Sequence, residues 1–166
     1  MRSYSTAAGE QAGGDREPTR KEARAAARVL FAATFGFTVF FAVWVMFAIV
    51  GIPVKKQFGL SEGDFAVLVA IPILTGSLLR IPIGLFTDRV GGRRVFAALL
   101  VVTAIPTYLV SRASSFTQLI ILAFFIGLAG TSFAVGIAWV SAWYPAARQG
   151  FALGMFGAGN AGASVT

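Results

Sequence analysis

The chain has 166 residues, 57% hydrophobic and only 13% charged, with a mean hydropathy of +0.77; a soluble domain carries about a quarter charged residues, so the composition is that of an integral membrane protein. Cysteine and histidine are both missing from the sequence, which excludes a disulfide framework, a Cys-based metal site and the usual neutral-pH proton carrier. The net charge of +7 does not point to nucleic acid, because the cations sit at the ends of apolar runs, where they orient membrane helices.

Residues 1–28 are polar and lack the short apolar core and cleavage site of a signal peptide. They read as a cytoplasmic tail, disordered over 1–17. Thr19-Arg-Lys-Glu22 fits a capping box, which predicts a helix start there. Uncharged runs of roughly 18 residues or more are candidate transmembrane helices. Such runs occupy about 29–54, 64–86 (broken only by Arg80), 95–110, 116–144 and 150–166. The second opens on another capping box, Ser61-Glu-Gly-Asp64. The fifth has no flanking charge where the sequence stops, so the chain reads as a fragment of a longer polytopic protein: a tail (1–28) and a truncated bundle (29–166) with about four and a half spans.

If the spans alternate, ten cations lie on one side, in the tail and in loops 87–94 and 145–149. Only Lys55, Lys56 and Arg112 lie on the other. The positive-inside rule then makes the N-terminus cytoplasmic, in a plasma (inner) membrane. The short loops leave no room for a soluble catalytic domain. No nucleophile–base pair, metal cluster or phosphate loop is visible, so neither an enzyme nor a cofactor is expected.

Loop 84–94 reads Gly84-Leu-Phe-Thr-Asp88-Arg89-Val-Gly91-Gly92-Arg93-Arg94. Gly84 allows close helix approach, Asp88 can cap or pair with a cation, and the arginines mark a cytoplasmic face. The pattern resembles the G-x-x-x-D-R-x-G-R-R loop after span two of the major facilitator superfamily. Gly92 departs from it, occupying the place of a basic residue. The resemblance implies a conformational role for Gly84, Asp88, Arg89, Gly91, Arg93 and Arg94.

Arg80 is a lone cation inside a span. Such a charge costs about 2.5–3.5 kcal/mol on insertion scales and usually faces the protein interior. A planar, permanently charged, bidentate guanidinium suits a planar oxyanion. Snorkelling toward Asp88, about 12 Å along the helix, and a structural ion pair are the competing readings. In span five, Gly150, Gly154, Ala158, Gly162 and Thr166 recur every four residues as a stripe for close helix packing, with Gly157 and Gly159 adding to it. Asn160 lies off that stripe and can donate to an anion. Phe40, Trp44 and Phe47 share one face of span one, and Phe133 follows small residues in span four.

Together, "LLRIPIG" in span two, "GTSFAVGIAWVSAWYP" in span four and "GFALGMFGAGNAGAS" in span five resemble the nitrate/nitrite porter family of that superfamily, over about residues 30–166. The resemblance implies the N-terminal part of a twelve-helix bundle that moves nitrate or nitrite across the lipid bilayer. It implies an anion-binding role for Arg80, an aromatic wall at Phe133 and a polar contact at Asn160. The opposite wall should come from span one, where spacing favours Phe40, with Phe41 as the alternative. The second arginine and a tyrosine contact would belong to the missing C-terminal half. No carboxylate lies deep in these spans, which disfavours a carboxylate proton relay and is compatible with nitrate/nitrite exchange. The rival readings are a facilitator for another small anion, such as an organic anion or phosphate ester, and a non-transporting scaffold subunit.

Overall fold

A computed structural model describes residues 19–160. The tail residues before Thr19, and Gly162 with the rest of 161–166, lie outside the described residues. The described chain forms eight α-helices: α1 (Arg20–Trp44), α2 (Met46–Phe58), α3 (Glu62–Leu78), α4 (Arg80–Val90), α5 (Gly92–Val110), α6 (Phe116–Gly127), α7 (Ser132–Ser141) and α8 (Ala146–Gly157). A 3₁₀ turn over Leu128–Thr131 joins α6 to α7.

Three rods are long and apolar enough to cross a membrane: Arg20–Phe58, Gly92–Val110 and Phe116–Ser141. The pair α3–α4 makes a fourth if its 43° bend counts as one broken span. α8 starts the run expected to be the fifth. The protein is thus an all-α, multi-pass membrane protein.

Both capping boxes form. The Thr19 hydroxyl accepts from the Glu22 amide while the Glu22 carboxylate accepts from the Thr19 amide. That backbone hydrogen bond, with a second from the Thr19 hydroxyl, holds the Glu22 carboxyl below the usual carboxylate range. Ser61 and Asp64 repeat the exchange at α3. The bend at Leu79 has a local cause. Pro82 lies in the first turn of α4 and has no N–H for the Leu78 carbonyl four residues back, and its ring crowds that carbonyl.

Three buried clusters hold the bundle. Phe40, Phe96, Leu99 and Val135 join α1, α5 and α7. Ala33, Phe37, Val140 and Phe156 join α1, α7 and α8. Phe47, Leu68, Leu119 and Ile126 join α2, α3 and α6. Spans one and four recur in all three, so they form the centre.

Without a hydrophobic force between helices in lipid, small residues set how closely helices approach. Spans two and four meet at Gly76, Gly127 and Gly130. A Cβ at Gly76 would stand 2.7 Å from the Gly127 carbonyl oxygen, and one at Gly127 would stand 2.8 Å from the Pro72 oxygen.

Candidate anion site

The side chain of Arg80 opens into a cavity of about 180 Å³ between the spans. A water takes about 30 Å³ of liquid, so the space holds an ion of a few atoms. Its walls are Phe37, Phe41 and Trp44 from α1, Gly130 and Phe133 from span four, and Asn160 after α8.

Arg80 is the first residue of α4, directly after the bend. One Nη donates to the Gly130 carbonyl at 3.3 Å. The guanidinium carbon lies 5.9 Å from the centroid of the Phe133 ring. Nε is buried and has no hydrogen-bond partner. Among the described residues the salt bridge formed is Lys55–Glu62, at the other end of span two, so Arg80 faces no carboxylate there. Gly130 packs on Gly76, one turn before Arg80. The guanidinium therefore reaches back toward mid-span, away from Asp88, as helix side chains tilt toward the N-terminus. This is the reverse of snorkelling.

Phe133 is 36% exposed and packs on Phe37 and Phe156 at ring-centroid distances of 5.4 and 5.9 Å. Phe40 does not reach the cavity. It is 1% exposed and its ring meets Phe96 edge-on at 5.0 Å. At 3.6 residues per turn, Phe37, Phe41 and Trp44 share one face of α1, and Phe40 lies about 100° round from Phe41. The wall from span one is thus Phe41 with Phe37.

Trp44 is the residue the spacing argument missed. Its spacing places it with Phe40 and Phe47 as readily as with Phe37 and Phe41. Its indole N–H donates to the Pro72 carbonyl at 2.9 Å. A Cβ on Gly76 or Gly130 would stand 2.9 or 2.7 Å from its Nε1. Trp44 therefore braces the Gly130 segment whose carbonyl receives Arg80.

Asn160 follows α8 in a short 3₁₀ turn over 158–160. Thr38 of α1 donates to the Gly159 carbonyl at 3.0 Å. A Cβ at Gly159 would meet the Thr34 oxygen at 3.0 Å and Phe37 at 3.1 Å. This close approach brings Asn160 to the cavity.

The other glycines of span five behave differently. A Cβ at Gly150, Gly154 or Gly157 meets nothing within 4 Å, so these three make no close helix contact among the described residues. The reason is angular. α8 buries Ala152 and Phe156, with Gly159 on the same side, and Gly150, Gly154 and Gly157 lie on the opposite face.

Loop 84–94 also differs from its reading in part. Gly84 has open space where a Cβ would go, so it mediates no close approach among the described residues. Asp88, Arg89, Arg93 and Arg94 are exposed, and among the described residues Asp88 forms no ion pair. Gly91 has φ +94°, a region that favours glycine. Gly92, the departure from the loop pattern, presses on Trp139; its Cβ would lie 2.9 Å from the Trp139 Cα.

Residues 30–166 match the sequence profile of the Major Facilitator Superfamily. The chain belongs to that superfamily. Among its curated relatives, the facilitator chain is 56% identical over 139 residues to a probable nitrate/nitrite antiporter NarK1 of Thermus thermophilus, covering 84% of this chain and 31% of that protein. It is 36% identical over 126 residues to the nitrite extrusion protein of Bacillus subtilis, covering 76% and 32%. It is 37% identical over 146 residues to a probable nitrate/nitrite transporter NarK2 of Mycobacterium tuberculosis, covering 86% and 37%. The facilitator chain thus spans about a third of the length of these relatives.

Proposed function

We propose that this chain is the N-terminal part of a nitrate/nitrite transporter, and that the Arg80 cavity is its half of the anion site. The observation that carries the reading is the state of Arg80: a permanent cation in the middle of a span, facing a cavity, with one long hydrogen bond and a buried Nε left without a partner. Desolvating an anion needs a counter-charge, and a guanidinium offers two parallel donors to one edge of a planar oxyanion. The aromatic faces of Phe41 and Phe133 suit a flat, weakly hydrated ion, and the Asn160 amide supplies a further donor. The names of the relatives, a nitrate/nitrite antiporter among them, agree with this chemistry.

The transport step is alternating access, in which two helical halves rock about a site near the midplane. The second half of the site belongs to the part of the transporter beyond this chain. The exposed Gly150–Gly154–Gly157 face of α8 is free to pack against that part. The arginines of loop 84–94 mark the cytoplasmic end, with the N-terminus on the same side and the protein in the plasma (inner) membrane. The protein is a transporter rather than an enzyme.

The test is uptake by the complete gene product in proteoliposomes. Saturable uptake of nitrate or nitrite supports the reading. A folded protein that moves neither anion overturns it.

A further inference from the structure

A groove of about 880 Å³ lies at the arginine-rich end of the bundle, and it shares no residue with the Arg80 cavity. It lies where α1 begins its apolar run, α4 turns into α5, and α7 ends. We propose that this groove binds the phosphate headgroup of an anionic phospholipid.

Arg28, Arg93 and Arg94 all line it, and among the described residues neither an aspartate nor a glutamate does. Among the described residues none of the three arginines forms a salt bridge or a side-chain hydrogen bond. Three like charges around one space repel, and a phosphate both relieves that repulsion and accepts from several guanidinium N–H groups. The wall opposite is Trp139 and Trp143. Tryptophan gathers at the headgroup level of a bilayer, where its ring meets both apolar and polar surroundings. Trp139 packs closely on Gly92 and against the Phe96 ring, so this wall is part of the bundle itself.

What selects a lipid over a soluble phosphate lies on α1, on the flank of the groove. Phe35 is two turns beyond Arg28 on nearly the same side of α1, about 10 Å along the axis. Phe31 lies beside it. Both are exposed, at 64% and 74%, and their rings stack with centroids 6.3 Å apart. An acyl chain descending from a headgroup at Arg28 runs along these two rings. A soluble phosphate has no use for them.

The experiment uses the purified complete gene product and native mass spectrometry. The probes are phosphatidylglycerol and phosphatidylcholine with identical acyl chains. We expect phosphatidylglycerol to be retained at least about tenfold more, given three basic residues at the membrane surface. Replacing all three arginines (R28Q, R93Q and R94Q together) should bring retention down to the phosphatidylcholine level. Glycerol 3-phosphate should not compete. Equal retention of the two lipids, unchanged retention in the triple variant, or displacement by glycerol 3-phosphate overturns the proposal. Should the triple variant fail to fold, the F31S/F35S pair decides. A several-fold loss of phosphatidylglycerol supports the lipid track, and no loss overturns it. The readout is independent of which anion the transporter carries.

Discussion

Arg80 is costly where it stands, and its described partners use few of its donors. A mid-span cation costs about 2.5–3.5 kcal/mol or more. One hydrogen bond to a charged group returns about 1.5–3 kcal/mol at good geometry, and 3.3 Å is long for such a bond. A cation–π contact at 5.9 Å adds about 0.5–2 kcal/mol. Most of the five guanidinium donors remain for a ligand. The aromatic neighbours separate cleanly into two kinds. F40A removes a buried ring from the core and should cost about 3–5 kcal/mol of stability with anion affinity retained. F41A should weaken anion binding with a smaller loss of stability. Thermal melting beside uptake kinetics of the complete transporter tells them apart, and equal effects on KM would contradict the assignment of the cavity wall. Trp44 lines the cavity and also braces it through Pro72. W44F deletes the hydrogen bond to Pro72, worth about 0.5–1.5 kcal/mol. We expect KM for the anion to rise by about 2- to 12-fold at that energy, with kcat nearly unchanged. Arg80 was legible in the sequence because a single charge in an apolar run has few explanations. Phe40 and Phe41 were not separable, because among 16 phenylalanines the spacing defines faces without saying which one turns inward.

At the scale of elements, the cavity sits among helix irregularities. Span one breaks at Val45, just past Trp44. Span two bends at Leu79, just before Arg80. Span four tightens to 3₁₀ over Leu128–Thr131, just before Phe133. α8 ends at Gly157, and Asn160 follows. The Leu79 bend could be read from Pro82, whereas nothing local explains the break at Val45. Both capping boxes were legible, since they depend on residues three apart and nothing else. The glycine stripe was not, because four-residue spacing identifies a face but not what stands opposite it. G159A and G92A push a methyl group into backbone or a fixed ring and should each cost about 1–3 kcal/mol. G150A and G154A should stay within about 0.5 kcal/mol in the described bundle. Melting midpoints of the four variants check this, and a large loss at Gly154 would reveal a partner helix on that face.

For the whole molecule, spans one and four form the centre, with spans two and five against them, and the cavity opens where these meet. Alternation of the spans puts Arg28, Arg93, Arg94 and Arg148 at one end, and Lys55, Lys56 and Arg112 at the other. This chain carries no cysteine, so single cysteines placed in it, with any elsewhere in the complete protein replaced, report the orientation. A cysteine at Gln57 or Ser114 should react with an impermeant maleimide added outside cells, and one at Arg93 should not; the reverse pattern would invert the topology. The most direct test of the central claim is uptake of nitrate and nitrite by the complete transporter in proteoliposomes, wild type beside R80K. A lysine keeps the charge and loses the bidentate fork. Saturable uptake by wild type, reduced to background in R80K, is the expected result. Near-normal uptake by R80K would contradict the claim that Arg80 grips the anion by its edge.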